Sequence, residues 1–127
     1  MTDMTGKTVL VTGTTGGIGL ATARALAARG AEVLMVASDR QKGEQAEAEL
    51  RRDTGNEHIH VLLADLSSQA SIRALAANVR LDHLQLHVLI NNAGSFFSTR
   101  QLTPDGLEMT FAFTWHTSCS PGCSCLL

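Results

Sequence analysis

The stretch Thr12-Gly13-Thr14-Thr15-Gly16-Gly17-Ile18-Gly19 places four glycines within eight residues, directly after an apolar run and directly before an alanine-rich one. At such a strand-to-helix turn, free backbone N–H groups and the positive end of the helix dipole point outward together, which is the chemistry of an anion site. In a dinucleotide site one glycine permits the turn, another lets a pyrophosphate approach the backbone, and another lets helix and strand pack closely. Two spacings fit: Gly13, Gly17 and Gly19, or Gly13, Gly16 and Gly19. A ligand-free tight turn would use the same residue types, but the position, closing a strand and opening a helix, favours nucleotide binding. Asp65, ending another apolar run, can accept a hydrogen bond from an adenine amino group, or it can serve as a carboxylate near Ser67 at a helix start. Asn91 and Asn92 carry amides able to bond backbone across a crevice, and Gly94 allows close approach to the chain.

Other reactive side chains form no constellation. His58 and His60 alternate at the start of a strand like a metal pair, but no third ligand is near, so they read as core or surface histidines. His83 and His87 flank the next apolar run. Cys119, Cys123 and Cys125 crowd the last nine residues with His116, in a spacing that matches no common zinc pattern.

The elements that must position the glycines and asparagines are legible in the hydropathy. "KTVLVTG", "AEVLMVAS", "HIHVLLAD" and "LHVLINNAG" are short β-branched runs that suit buried parallel strands. Between them, Ile18, Ala21, Ala25 and Leu26 recur at helical spacing before a stop at Gly30. "RQKGEQAEAELRRDTGN" is a charged helix ending near Gly55. Ser67 or Ser68 can cap a third helix whose stripe is Ile72, Leu75, Ala76 and Val79. This alternation predicts parallel strands joined by right-handed crossovers, the first half of a Rossmann-type doubly wound α/β sheet, truncated after the fourth strand. The "HVLIN" strand is then expected at an open apolar edge.

With 127 residues, 44% of them hydrophobic and 17% charged, the composition suits one globular domain. The net charge of −2 offers no electrostatic case for nucleic acid or an acidic membrane surface. The N-terminus lacks the pattern of a signal peptide, and the longest apolar run is too short to cross a bilayer, so a cytoplasmic location and no membrane partner are expected.

Three motifs in order, Thr12-Gly13-x-x-x-Gly17-Ile18-Gly19, Asp65-Leu66 and Asn91-Asn92-Ala93-Gly94, resemble those of the short-chain dehydrogenase/reductases. The last motif favours the Gly13, Gly17 and Gly19 spacing. The resemblance covers about residues 5–112. It extends through "DRQKGEQ" and "LTPDGLEMTFA" to the retinol-dehydrogenase-like reductases of that family. It implies an NAD(P)-dependent alcohol/carbonyl oxidoreductase, with a cofactor-binding set of Thr12, Gly13, Thr15, Gly16, Gly17, Ile18, Gly19, Ser38, Arg40, Asp65, Leu66, Asn91, Ala93 and Gly94. The choice between NADP and NAD leans to NADP, because Ala37 leaves room where an acidic residue would hold a ribose 2′-hydroxyl, and Arg40 and Lys42 are near. Both are equally readable as solvated charges at a helix start. Ser38 and His87 depart from the family's usual arginine and aspartate.

The family's catalytic serine, tyrosine and lysine normally lie beyond this chain's last residue, and the chain holds no tyrosine at all. The expectation is a cofactor-binding half, residues 1–112, inactive alone. The other reading is a non-catalytic nucleotide-binding module; the full-length parent would be a monomer or a homo-oligomer. Residues 113–127 are expected to form an aberrant, disordered tail. One allowed coding of Trp115 to Cys125, read one base earlier, gives Leu-Ala-His-Leu-Leu-Leu-Thr-Gly-Leu-Leu-Leu, similar to the family's fourth helix. The hypothesis of an out-of-frame tail is tested by the coding DNA: a closed alternative frame, or one without Tyr-x-x-x-Lys downstream, refutes it.

Overall fold

The computed structural model describes residues 2–83, 85–94 and 97–112. The tail from Phe113, with its three cysteines and Trp115, lies outside the described residues. The named elements among the described residues alternate strand and helix: β1 (Thr8–Thr12), α1 (Gly17–Ala28), β2 (Glu32–Ala37), α2 (Arg40–Thr54), β3 (Ile59–Leu63), α3 (Gln69–Asp82) and β4 (Val88–Ile90). All strand pairings are parallel, in the order β3-β2-β1-β4. This is the four-stranded parallel α/β sheet expected from the sequence, with β1 and β2 as its inner strands.

Burial follows that order. Every residue of β1 is buried, as is all of β2 after Glu32, because both strands have neighbours on each side and helices on each face. Successive side chains point to opposite faces. Val9, Val11, Val33 and Met35 therefore pack with Ala23 and Ala27 of α1 and Leu50 of α2. Leu10, Leu34 and Val36 pack with Ile72, Leu75 and Val79 of α3 on the other face. Strand β4 is shorter than the apolar run that contains it and lies at the edge, where Val88 is 37% exposed. Among the described residues no helix is long and apolar enough to cross a membrane.

Of the four residues expected at helical spacing in α1, Leu26 packs partly buried against the core, and the other three do not lie on the buried face. Gly19, Ala23 and Ala27 are buried, whereas Ala21 and Ala25 are exposed and Ile18 is 78% exposed. An alanine-rich helix presents two stripes of nearly equal apolarity, and the closer approach available to a glycine decides between them. The stop is as expected: Gly30, at φ 88, follows the helix cap. Helix α2 ends at Gly55 in the left-handed region, and Ser68, not Ser67, caps α3 by accepting from Ser71 N.

Asn56, which no sequence pattern singles out, joins three elements. Its Nδ2 donates to Ala27 O (2.9 Å) and Ala31 O (2.8 Å), and its Oδ1 accepts from His58 N (2.8 Å). Asn56→Ala should lower stability by about 2 kcal/mol, since two carbonyls and one N–H lose their partner in a half-buried place. Chemical denaturation checks this; an unchanged midpoint would mean that water replaces the amide at no cost. At the bottom of the sheet, Glu32 accepts from Thr8 Oγ1 (2.7 Å) and lies 3.5 Å from His83 and 3.9 Å from His60. His87 Nδ1 accepts from Thr8 N (3.0 Å), so the departure from aspartate keeps an acceptor at that place.

Residues 97–112 follow β4 and include a turn bonded to the start of α3 through Gln69 N and Asp105 Oδ2 (2.9 Å). Leu102 and Glu108 form an antiparallel bridge around a turn in which Thr103 Oγ1 accepts from Asp105 N and Leu107 N (both 3.2 Å). Glu108 accepts from Phe111 N (2.8 Å), and that bond, followed by one from Thr110, holds its carboxyl below the ordinary carboxylate range.

Candidate functional site

A cleft of about 350 Å³ opens at the carboxyl ends of β1, β2 and β3, lined by Gly13, Thr15, Val36, Ala37, Ser38, Ala64, Leu66, Ala93 and Gly94. Open parallel sheets bind ligands at this end, where strand order reverses; here that point lies between β1, whose crossover leads to β2, and β4 on its other side. None of the lining residues carries an ionisable side chain.

The glycine turn forms one wall, and its glycines do different work. Gly13 has φ 68, and a Cβ there would lie 2.9 Å from Ala93 Cα. Gly19 admits no side chain at all: a Cβ would stand 2.1 Å from Gly13 O and 2.5 Å from Asn92 Nδ2. Gly17 has φ 57. Gly16 has an extended φ of −175 that any residue adopts, and no atom would lie within 4 Å of a Cβ on it. The structure thus assigns the turn geometry to Gly13, Gly17 and Gly19, the spacing that the Asn-Asn-Ala-Gly motif favours.

The start of α1 is bare. Asp39 caps α2 by accepting from Lys42 N (3.0 Å) and Ser68 caps α3, but Gly16 gives α1 no side-chain cap. The first N–H groups of a helix lack intrahelical partners, and at the start of α1 no side chain of the N-cap residue caps them. A Cβ on Gly16, Gly17 or Gly94 would meet nothing within 4 Å, which leaves a cradle of backbone open to a ligand.

Three further side chains fix the turn. Thr12 Oγ1 accepts from Asn92 N (3.1 Å) and Ala93 N (2.9 Å), and Asn92 Nδ2 donates to Thr12 O and Gly13 O (both 3.2 Å). Thr14, fully buried, donates its hydroxyl to Val36 O at 3.3 Å. Of the two asparagines the bridging amide is Asn92, while Asn91 is exposed. Neither Asn92 nor Thr14 stands among the residues expected to contact a cofactor; the signal for Asn92 is its place in the motif, and Thr14 has none beyond its position between glycines.

Of the remaining expected residues, Gly13, Thr15, Ser38, Leu66, Ala93 and Gly94 meet in the cleft lining. Thr12 lies beneath it and Ile18 projects outward beside it. Asp65 is exposed next to Leu66, with Oδ1 accepting from Ser67 N (2.9 Å) and Ser67 Oγ (2.6 Å). It therefore does the work of a helix-start carboxylate whatever else it contacts. Arg40 is drawn along its own helix toward Glu44, 3.6 Å away, and does not line the cleft.

A four-stranded parallel sheet in this order, with a glycine turn and no side-chain cap on the first helix at its cleft, defines a Rossmann-type α/β protein. The model of the short chain dehydrogenase family matches residues 7–118, and the chain belongs to that family. Retinol dehydrogenase 12 of Homo sapiens is 47% identical over 106 residues, covering 84% of this chain and 34% of the relative. Polyprenol dehydrogenase of Mus musculus is 40% identical over 103 residues, 81% of this chain and 31% of the relative. The chain thus spans about a third of the length of these curated relatives. Among solved structures, a short-chain dehydrogenase from Sphingobium yanoikuyae in complex with NADPH matches with 33% identity and a TM-score of 0.73, over 87% of this chain and 44% of that one. A metagenomic short-chain oxidoreductase in complex with NADP matches with 33% identity and a TM-score of 0.75, over 88% and 51%.

Proposed function

We propose that the cleft binds a nicotinamide dinucleotide and that this chain supplies the cofactor-binding part of an alcohol/carbonyl oxidoreductase. The observation that carries this reading is the bare start of α1 beside an open glycine cradle, at the strand ends where the expected residues meet. The pyrophosphate would lie over Gly13–Gly17 against the N–H groups of α1, and the adenine between Leu66 and Ala37 with Asp65 accepting from its amino group. Ala93 and Gly94 would support the chain of the cofactor beyond the pyrophosphate. The cofactor, once bound, supplies hydride chemistry; the residues of this chain bind and orient it.

Among the described residues the cleft lining has no ionisable side chain, and the sequence has no tyrosine, so the role we assign to this chain is binding and orientation. Relatives named for retinol and polyprenol support an apolar alcohol, or its carbonyl, as substrate of the whole enzyme. NADP is favoured over NAD because Asp39, the acidic residue nearest the end of β2, has one carboxylate oxygen committed to the cap of α2. Ser38 is left facing the cleft, and both solved neighbours above hold the phosphorylated cofactor.

Calorimetric titration of residues 1–127 tests both parts. The expected result is micromolar binding of NADPH and about tenfold weaker binding of NADH, a difference of ~1.4 kcal/mol. A folded chain that binds neither overturns the site, and equal affinities overturn the preference alone.

A further inference from the structure

We propose that the Glu47–Arg51 pair of α2 is a guard that keeps the outer edge of β3 closed to a second copy of this chain. Among the described residues β3 ends the sheet, with β2 on one side and no strand on the other. In a parallel ladder a residue bonds to the two residues that flank its partner. Val33 faces Ile59, and Val33 N donates to His58 O (2.9 Å); Ala37 faces Leu63, and Ala64 N donates to Ala37 O (3.0 Å). The backbone groups of Ile59, Val61 and Leu63 therefore point away from β2, along the outer edge. Such a row of donors and acceptors is a template for another strand.

Helix α2 meets that row with side chains. Val61 N donates to Glu47 Oε2 (3.1 Å), and Ile59 O accepts from Arg51 Nη2 (2.6 Å) and Nε (3.2 Å). Arg51 Nη2 also lies 2.7 Å from Glu47 Oε1, so acceptor and donor are held together. Their placement follows from the sequence. Gly43, Glu47 and Arg51 are spaced four apart and share one stripe of α2. At Gly43 the helix comes so near β3 that a Cβ would stand 3.0 Å from Val61 Cγ1. One and two turns further on, the side chains of that stripe reach the backbone of the edge. The pair thus offers Val61 N an acceptor and Ile59 O donors, as a neighbouring strand would.

These are the groups that a second copy would need. Two β3 strands related by a twofold axis at Val61 pair antiparallel, Val61 with Val61 and Ile59 with Leu63. That pairing uses Val61 N and Ile59 O, both engaged by α2, and Leu63, 39% exposed, would add apolar area to it.

The double variant Glu47→Ala, Arg51→Ala opens the edge, and alanine suits both helical positions. Glu47→Gln keeps an acceptor oxygen for Val61 N. Amide exchange at Val61 and sedimentation are followed from micromolar to millimolar chain. In the wild type, Val61 exchange should be slow at every concentration. In the dilute double variant it should quicken about tenfold, the worth of one hydrogen bond to a charged group. At high concentration it should slow again as a dimer of folded chains forms. Glu47→Gln should stay within about threefold of the wild type.

A merely structural pair would lower the denaturation midpoint and leave the double variant sedimenting as the wild type does, which overturns the proposal. Association that leaves Val61 exchange fast overturns it too, since the contact then lies elsewhere. Val61 exchange as slow in Glu47→Ala as in the wild type overturns it even if the double variant fails to fold.

Discussion

Gly19→Ala should abolish dinucleotide binding and lower folding stability by about 3 kcal/mol, the upper part of the usual range for forcing an extra methyl into a packed place. Its Cβ would meet Gly13 O at 2.1 Å and Asn92 Nδ2 at 2.5 Å. The first is backbone and cannot rotate away, so α1 must lift from β1 or the glycine turn must deform. Either movement displaces the N–H groups proposed to hold the pyrophosphate. Gly16→Ala is the matched control. It adds the same methyl three residues away, in extended backbone with nothing within 4 Å, so stability should stay within about 0.5 kcal/mol. Its methyl enters the cradle, and NADPH binding should weaken by about tenfold or more. Urea denaturation and calorimetry on the two variants separate packing from ligand contact. Equal stability of Gly19→Ala and wild type would show that helix and strand do not approach as closely as described.

Asn92→Asp should be the second most damaging change, although it alters almost no volume. The amide nitrogen donates to Thr12 O and Gly13 O, both at 3.2 Å. A carboxylate in its place turns two hydrogen bonds into two contacts between oxygens and leaves both carbonyls without a donor. At neutral pH the loss should be about 3 kcal/mol, more than for a neutral group because the introduced charge is half-buried. The facing carbonyls disfavour its ionised form, so its pKa is higher in the folded than in the unfolded chain. The penalty is therefore present above the folded pKa and fades as pH falls through it. Denaturation midpoints of variant and wild type, compared at neutral and mildly acid pH, check both magnitude and direction. A difference that does not shrink in acid would mean that the introduced carboxylate has turned to solvent.

The βα order, all four strands and both glycine stops were legible because they depend on neighbours in sequence: β-branched runs, and left-handed residues after helices at Gly30 and Gly55. The glycine turn was legible for the same reason. The buried side of α1 was not, because alanines at two phases of the helix satisfy the same pattern, and Gly19 resolves it only once β1 and Asn92 are in place. Asn91 and Asn92 are identical in type and adjacent, so the one that faces Thr12 is set by the pleat of β4. Thr14 and Asn56 were missed for a single reason: Thr14 bonds Val36, 22 residues away, and Asn56 bonds Ala27 and Ala31, 29 and 25 residues away, and nothing local marks a polar side chain as one end of a distant bond.

The bridge from Asn92 to Thr12 has a consequence for how the molecule is made. It spans 80 residues, and β4 reaches β1 only after both crossovers and α3 have been laid down. Pairing over such separations is slow, since the entropy of closing the chain is lost before the contacts form. The glycine sequence emerges first during synthesis, yet the turn is expected to take its final shape late. A nascent chain interrupted before residue 92 would carry the full phosphate-loop signature without a fixed loop. Nucleotide affinity during refolding should therefore appear together with the β1–β4 pairing, later than the β1–α1–β2 unit in which the glycines sit.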